Sequence, residues 1–315
     1  MMEQLNKTEH AKRNVLRNVR KQRLKYITVL PSLVTLINGA CGFASIVFAS
    51  RVGHTGTTGL DIYHREFPFL AMAGYMIFFA MIADMLDGHL ARLSQSTSSF
   101  GGQLDSLCDV ISFGIAPAFL MLRVVETNLA FGPRIDIFIY RFLWLAAAIY
   151  FSCAAIRLAR FNVENEEDES HHMTFSGLPS PAAAGAVASL VILNQDWISL
   201  ATKVEETWRP YLQIGHTAIV YILPFATILV GALMVSRIHY PHVVNQYLKG
   251  KKPFGYLIKA VGIIVIVIWY FEGALAIVFW SFALSGILKW IWDNIIIHKP
   301  ASGEIQENED LAVSQ

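Results

Sequence analysis

The sequence predicts an all-α fold, a polytopic membrane helical bundle of about eight transmembrane helices preceded by an interfacial amphipathic helix. Three observations carry that prediction. Apolar residues make up 54% of the 315 residues and charged residues only 16%, and the mean hydropathy is +0.45. Several apolar runs approach the ~20 residues that a helix needs to cross a bilayer. A compact stretch, Asp84 to Asp109, puts four aspartates inside this very apolar chain. An ordinary soluble domain is excluded by this composition. The net charge of +1 suggests no polyanion partner, and no nucleic-acid partner is expected.

Residues 1–10 are polar. Residues 11–26, AKRNVLRNVRKQRLKY, hold seven Lys or Arg and no acidic residue, with Val15, Leu16, Val19 and Leu24 forming a narrow apolar stripe. This pattern predicts a basic helix lying on an anionic leaflet. Apolar segments follow at about 29–50, 67–86, 104–123, 137–159, 179–195, 216–236, 254–271 and 273–294. The last two are separated by little more than Phe271-Glu272-Gly273, which implies a tight hairpin or one shortened span. Three domains are expected: a basic amino-terminal segment (1–27), a membrane domain (28–295) and a polar tail (296–315). The first apolar run comes after a long basic segment and reads as an uncleaved signal anchor. Cys41, Cys108 and Cys153 are widely spaced in apolar segments and read as small packing residues. The run Glu164–Glu169 reads as a solvated loop face, with His171 and His172 beside it as loop residues.

Loop charges predict the orientation. With eight spans, one side collects the basic amino terminus, Arg92, Arg157, Arg160, Arg237, Lys249, Lys251, Lys252, Lys289 and Lys299. The other side has fewer, such as Arg51, Arg65, Arg134 and Arg209. The positive-inside rule places both termini and the acidic stretch on the cytoplasmic face of a cell (inner) membrane.

That stretch, Asp84 to Asp109, reads DMLDGHLARLSQSTSSFGGQLDSLCD. Residues three or four apart share a helix face, so Asp84, Asp87, Gly88 and Ala91 align, as do Gly101, Asp105 and Asp109 on a second helix. The polar segment between them can turn the chain and let the faces meet. Four converging carboxylates repel one another unless cations sit among them, and all-oxygen ligation suits hard ions such as Mg²⁺ or Mn²⁺. A pair of such ions can stabilise attacking and leaving oxygens together. One carboxylate near an entering hydroxyl can serve as general base.

Written as a pattern, the stretch is D-x2-D-G-x2-A-R-x8-G-x3-D-x3-D. It resembles the signature of the CDP-alcohol phosphotransferases at every fixed position. The resemblance implies an enzyme in which an acceptor hydroxyl attacks a CDP-alcohol and CMP leaves. It further implies metal ligation by Asp84, Asp87, Asp105 and Asp109 with two Mg²⁺ or Mn²⁺ ions. Asp109 would also be the base, Asp105 and Arg92 would assist catalysis, and Arg92 would pair with a phosphate or hold an aspartate in register. Gly88, Ala91 and Gly101 would let the nucleotide approach the backbone. Pro31, Thr35 and Asn38, on the first span, would contact the CDP-lipid; the alternative for Thr35 and Asn38 is hydrogen bonding between helices. Relatives are typically homodimers.

Four further stretches, PSLVTLINGACGFASIVFA, DSLCDVISFGIAPAF, AAIRLARFN and FSGLPSPAAA, resemble one branch, the integral-membrane phosphatidylserine synthases of bacteria and archaea. That branch implies transfer of the phosphatidyl group of CDP-diacylglycerol to L-serine. Arg157 and Arg160, three apart near the end of the fourth span, could supply a guanidinium for the serine carboxylate. Pro179 and Pro181 would break the entrance to the fifth span and free carbonyls for the ammonium. The alternatives are the same reaction class with glycerol 3-phosphate, an inositol phosphate or choline as acceptor, an intramembrane prenyltransferase, or a cation transporter. The last would use the buried carboxylates but leaves the Gly88, Ala91, Arg92 and Gly101 spacing unexplained.

Overall fold

The computed structural model describes residues 31–52, 59–62, 65–94, 99–128, 133–167, 177–238, 240 and 269–292. The expected amphipathic helix at 11–26, His171, His172, most of the seventh expected span and the polar tail lie outside the described residues. The bundle consists of α1 (Pro31–Arg51), α2 (Phe69–Ser94), α3 (Ser99–Asp109), a π-helical segment (Val110–Ile115), α4 (Ala116–Asn128), α5 (Pro133–Glu167), α6 (Ser180–Ala201), α7 (Arg209–Val235) and α8 (Phe271–Ile291). Among the described residues seven helical runs are long and apolar enough to cross a membrane, α3 through α4 counting as one. The chain is therefore a multi-pass membrane protein. The expected count of eight is not reached within this set, because the run at 254–268 is not among the described residues.

The structure adds a feature the sequence did not suggest. Between α1 and α2 the chain forms a two-stranded antiparallel ribbon, β1 (Gly59–Ile62) with β2 (Arg65–Pro68), in which Gly59 pairs with Pro68 and Ile62 with Arg65. Four-residue strands are too short for their alternation to stand out from a loop.

Most helices extend past the apolar segments that announced them. Hydropathy fades where charges begin, but the backbone keeps its hydrogen bonds by staying helical. α2 thus carries the first half of the acidic stretch as helix to Ser94. α5, at 35 residues, is about 50 Å long and outruns the hydrocarbon core. Residues Glu164–Glu167, expected in a loop, are its last turn.

α6 sits at the centre. Ala183, Ala184, Ala186, Val187, Ala188 and Val191 are fully buried along it, and such small side chains let helices approach closely without a hydrophobic driving force between them. α2, α7 and α8 pack against it. The outward faces are apolar, with Ile37, Phe79, Phe138 and Phe225 exposed, as a surface facing lipid must be. The end of the bundle remote from the aspartates is tied by side chains. There the Arg123 guanidinium donates to the carbonyls of Ala49 (3.4 Å) and Val52 (2.5 Å) and pairs with Glu126 at 2.7 Å. Tyr75 donates to Glu272 at 3.3 Å and Trp197 to the Tyr270 hydroxyl at 2.7 Å.

Candidate active site

Five helices meet at the aspartates. The last turns of α2 carry Asp84, Asp87, Gly88 and Arg92, and α3 carries Gly101, Asp105 and Asp109. Carboxylate oxygens of Asp84, Asp105 and Asp109 lie within 4.8 Å of one another. Asp87 is 5% exposed and stands close enough for its charge to act on all three. The two faces expected from the spacing do meet. At such separations each ionised pair repels by at least about 3 kcal/mol at an effective dielectric near 20. Asp87 Oδ2 and Asp105 Oδ1 are buried without a hydrogen-bond partner. Hard, oxygen-only donors crowded together and left unpaired fit a divalent cation.

α1 forms the next wall. Asn38, fully buried, donates from Nδ2 to Asp109 Oδ1 at 2.8 Å, and its own backbone carbonyl accepts from Ser112 Oγ at 2.9 Å. Thr35 donates to the Pro31 carbonyl at 3.0 Å and stands within hydrogen-bonding reach of Asp87. This proximity depends on two glycines of α1. A Cβ on Gly42 would overlap Ser112, and one on Gly39 would meet Cys108 Sγ at 2.9 Å. The expected contacts of Thr35 and Asn38 with the donor nucleotide are thus joined by contacts with the aspartates themselves.

Immediately after Asp109 the helix widens into the π segment. Pro117 explains part of this. It has no N–H to give to Phe113, four residues earlier, and the Phe113 carbonyl accepts instead from the phenol of the fully buried Tyr150 at 3.0 Å. Such bulges recur at functional sites.

α5 and α6 complete the enclosure. Arg157 donates from Nη1 to Ser180 Oγ at 2.9 Å, its Nε is buried without a partner, and the charge of Asp109 acts on it. Arg160 is partly buried, and the described contacts connect it to none of the aspartates. Next to Asp105, Ser106 and Asn162 bond reciprocally at 3.1 and 2.9 Å, linking α3 to α5. Four of the six buried unpartnered polar atoms found among the described residues, on Asn38, Asp87, Asp105 and Arg157, belong to this one site.

The remaining expected residues divide. Gly88 faces open space, since a Cβ there would meet nothing within 4 Å, as an approach path to the backbone requires. Gly101 is partly buried in the first turn of α3, Arg92 is exposed in the last turn of α2, and the side chain of Ala91 is outside the described set. Pro31 opens α1. The carbonyl of Pro179 is not freed as expected, because it accepts the Ala183 N–H at 3.0 Å. Ser180, Ser106 and the pair Gly39–Gly42 were missed. Ser180 lay in plain view between two prolines, but a lone serine gives no sign of its partner.

Comparison with known proteins identifies the family. The model of the family described as CDP-alcohol phosphatidyltransferase matches residues 28–223, which contain every aspartate of the cluster. The chain belongs to that family. A CDP-diacylglycerol–serine O-phosphatidyltransferase of Helicobacter pylori is 30% identical over 233 residues, 74% of this chain and 85% of the relative. One of Methanocaldococcus jannaschii is 32% identical, covering 74% and 92%, and one of Saccharomyces cerevisiae is 33% identical over about half of each chain. In this CDP-alcohol phosphatidyltransferase the site combines carboxylates on α2 and α3, Asn38 on α1 and the Arg157 guanidinium on α5.

Proposed function

We propose that this family member transfers the phosphatidyl group of CDP-diacylglycerol to L-serine, releasing CMP and forming phosphatidylserine. The observation that carries this reading is Arg157, a half-buried guanidinium with an unpaired Nε, on which the charge of Asp109 acts. A carboxylate on Arg157 brings the hydroxyl of the same small molecule towards Asp109. The names of the relatives point to the same acceptor.

Asp109 takes the proton from the serine hydroxyl. The hydroxyl oxygen forms a bond to the phosphorus that carries the diacylglycerol. The bond from that phosphorus to CMP breaks, and CMP leaves with the electron pair. Asn38 holds the Asp109 carboxylate in place for this transfer. Asp84, Asp87, Asp105 and Asp109 would hold Mg²⁺ or Mn²⁺, two ions by analogy with the family, whose chemistry is to neutralise the pyrophosphate charge. Gly88 and Gly101 leave room for the nucleotide against α2 and α3, with Ala91 and Arg92 beside them. Pro31 and Thr35 border the same space. Arg157 is preferred to Arg160 as the carboxylate ligand because the charge of Asp109 acts on it.

The cytoplasmic supply of serine and the loop charges support a cytoplasm-facing site in the cell membrane. A homodimer, implied by the family resemblance, belongs to the same proposal and is read from the mass of the protein–detergent particle. The function is tested by CMP release from CDP-diacylglycerol with serine, glycerol 3-phosphate, inositol phosphate or choline as acceptor. Release that depends on serine supports it. Release with another acceptor overturns the serine assignment and retains the class.

A further inference from the structure

Arginine has four side-chain torsions, and a flexible guanidinium at the edge of an acidic cluster would fold onto the nearest carboxylate and quench it. Arg157 is restrained. Its Nη1 is committed to Ser180 Oγ at 2.9 Å, and Ser180 is itself fully buried. Serine has one torsion, so its hydroxyl is placed almost entirely by the backbone.

That backbone is fixed on both sides. Ser180 is the first residue of α6, between Pro179, whose φ is −55° and ψ 136°, and Pro181 in the first turn. Upstream, Gly177 has φ +92°, and a Cβ there would overlap the Met234 carbonyl oxygen. Its N–H donates to the Ile238 carbonyl at 2.9 Å, and the N–H of Leu178 donates to that of Leu233 at 3.0 Å. Leu178 is fully buried. The short strap 177–180 is therefore stitched to the end of α7, and it presents one hydroxyl to α5.

With Nη1 occupied, the guanidinium edge made by Nε and Nη2 is the one left for a planar two-oxygen anion. Nε is buried and unpaired, a costly state that a ligand oxygen would relieve. The Asp109 carboxylate stands near enough for its charge to act on Arg157.

We infer that Ser180 is a positioning residue for acceptor selection: its hydroxyl turns Arg157 so that the Nε edge receives the carboxylate of the amino-acid acceptor. This rests on the reading of Arg157 given above. Ser180 touches no reacting atom, so its loss acts on acceptor binding and not on the donor.

The test is steady-state CMP release by the full chain in detergent, varying serine and CDP-diacylglycerol separately, with the thermal midpoint of each variant recorded. Ser180→Ala should raise the KM for serine about tenfold, the scale of one lost hydrogen bond to a charged group. The KM for CDP-diacylglycerol and kcat should stay within about twofold. Ser180→Thr, which keeps the hydroxyl, should restore the serine KM to within about threefold of the starting protein. In an Arg157→Ala background, Ser180→Ala should add no further rise. Should Ser180→Ala fail to fold, Ser180→Cys, a similar volume with a weak acceptor, takes its place with the same expected direction. An unchanged serine KM, an equal rise for both substrates, or an additive rise in the Arg157→Ala background overturns the inference. If Arg157→Ala itself leaves the serine KM unchanged, the carboxylate reading of Arg157 fails instead. If Arg157→Ala raises it and Ser180→Ala does not, only the role of Ser180 fails.

Discussion

Asn38→Ala separates two accounts of α1. The side chain donates one buried hydrogen bond, 2.8 Å, to Asp109 Oδ1, and its backbone carbonyl, which holds Ser112, is untouched by the substitution. A buried hydrogen bond to a charged acceptor contributes about 1.5–3 kcal/mol. Losing it lets the Asp109 carboxylate turn away from the acceptor hydroxyl, so the expected fall in kcat is about 10- to 100-fold. The KM for CDP-diacylglycerol should change little. Asn38→Asp removes the same donor and adds a carboxylate next to Asp109, which at about 3.5 Å and an effective dielectric near 20 repels by roughly 5 kcal/mol. It should therefore be worse than Asn38→Ala, although it is closer in shape. The assay is CMP release at saturating serine with CDP-diacylglycerol varied. A large rise in the CDP-diacylglycerol KM with kcat unchanged would refute the bracing argument and return Asn38 to nucleotide contact alone. Equal activity of the Ala and Asp variants would refute the electrostatic part.

Two further substitutions probe backbone geometry. Gly177→Ala forces a side chain into φ +92° and onto the Met234 carbonyl; it should cost about 2 kcal/mol or more and lower the thermal midpoint in detergent, and an unchanged midpoint would contradict the strap geometry. Gly88→Val should leave the midpoint nearly unchanged, because nothing lies within 4 Å of a Cβ there, yet raise the KM for CDP-diacylglycerol; an unaltered KM would remove Gly88 from the donor site.

Much of the site was legible because its chemistry is local. Asp84 and Asp87, and likewise Asp105 and Asp109, are related by helical spacing, so their faces follow from counting. That the two faces would meet needed only a short polar turn between them. Long-range contacts were a different matter. Asn38 and Asp109 are 71 positions apart, and Arg157 and Ser180 are 23 apart across a helix start. Neither residue type announces its partner. Of the eight spans anticipated by hydropathy, seven are found among the described residues, but their ends were not anticipated, since a helix entering water changes hydropathy without changing backbone. The π segment had a visible cause in Pro117, yet a proline permits several local solutions. In the structure the Phe113 carbonyl that Pro117 leaves free accepts from the buried Tyr150.

The central claim is that Asp109 serves the acceptor hydroxyl within a cluster of carboxylates that together hold divalent cations. Asp109→Asn tests it most directly, with Mn²⁺ binding followed by electron paramagnetic resonance alongside serine-dependent CMP release. Asparagine preserves the shape and an oxygen ligand, so Mn²⁺ binding should be largely retained. Turnover should fall by about 10²- to 10⁴-fold, the range for losing a general base. Near-normal turnover by the folded, Mn²⁺-binding variant would contradict the account.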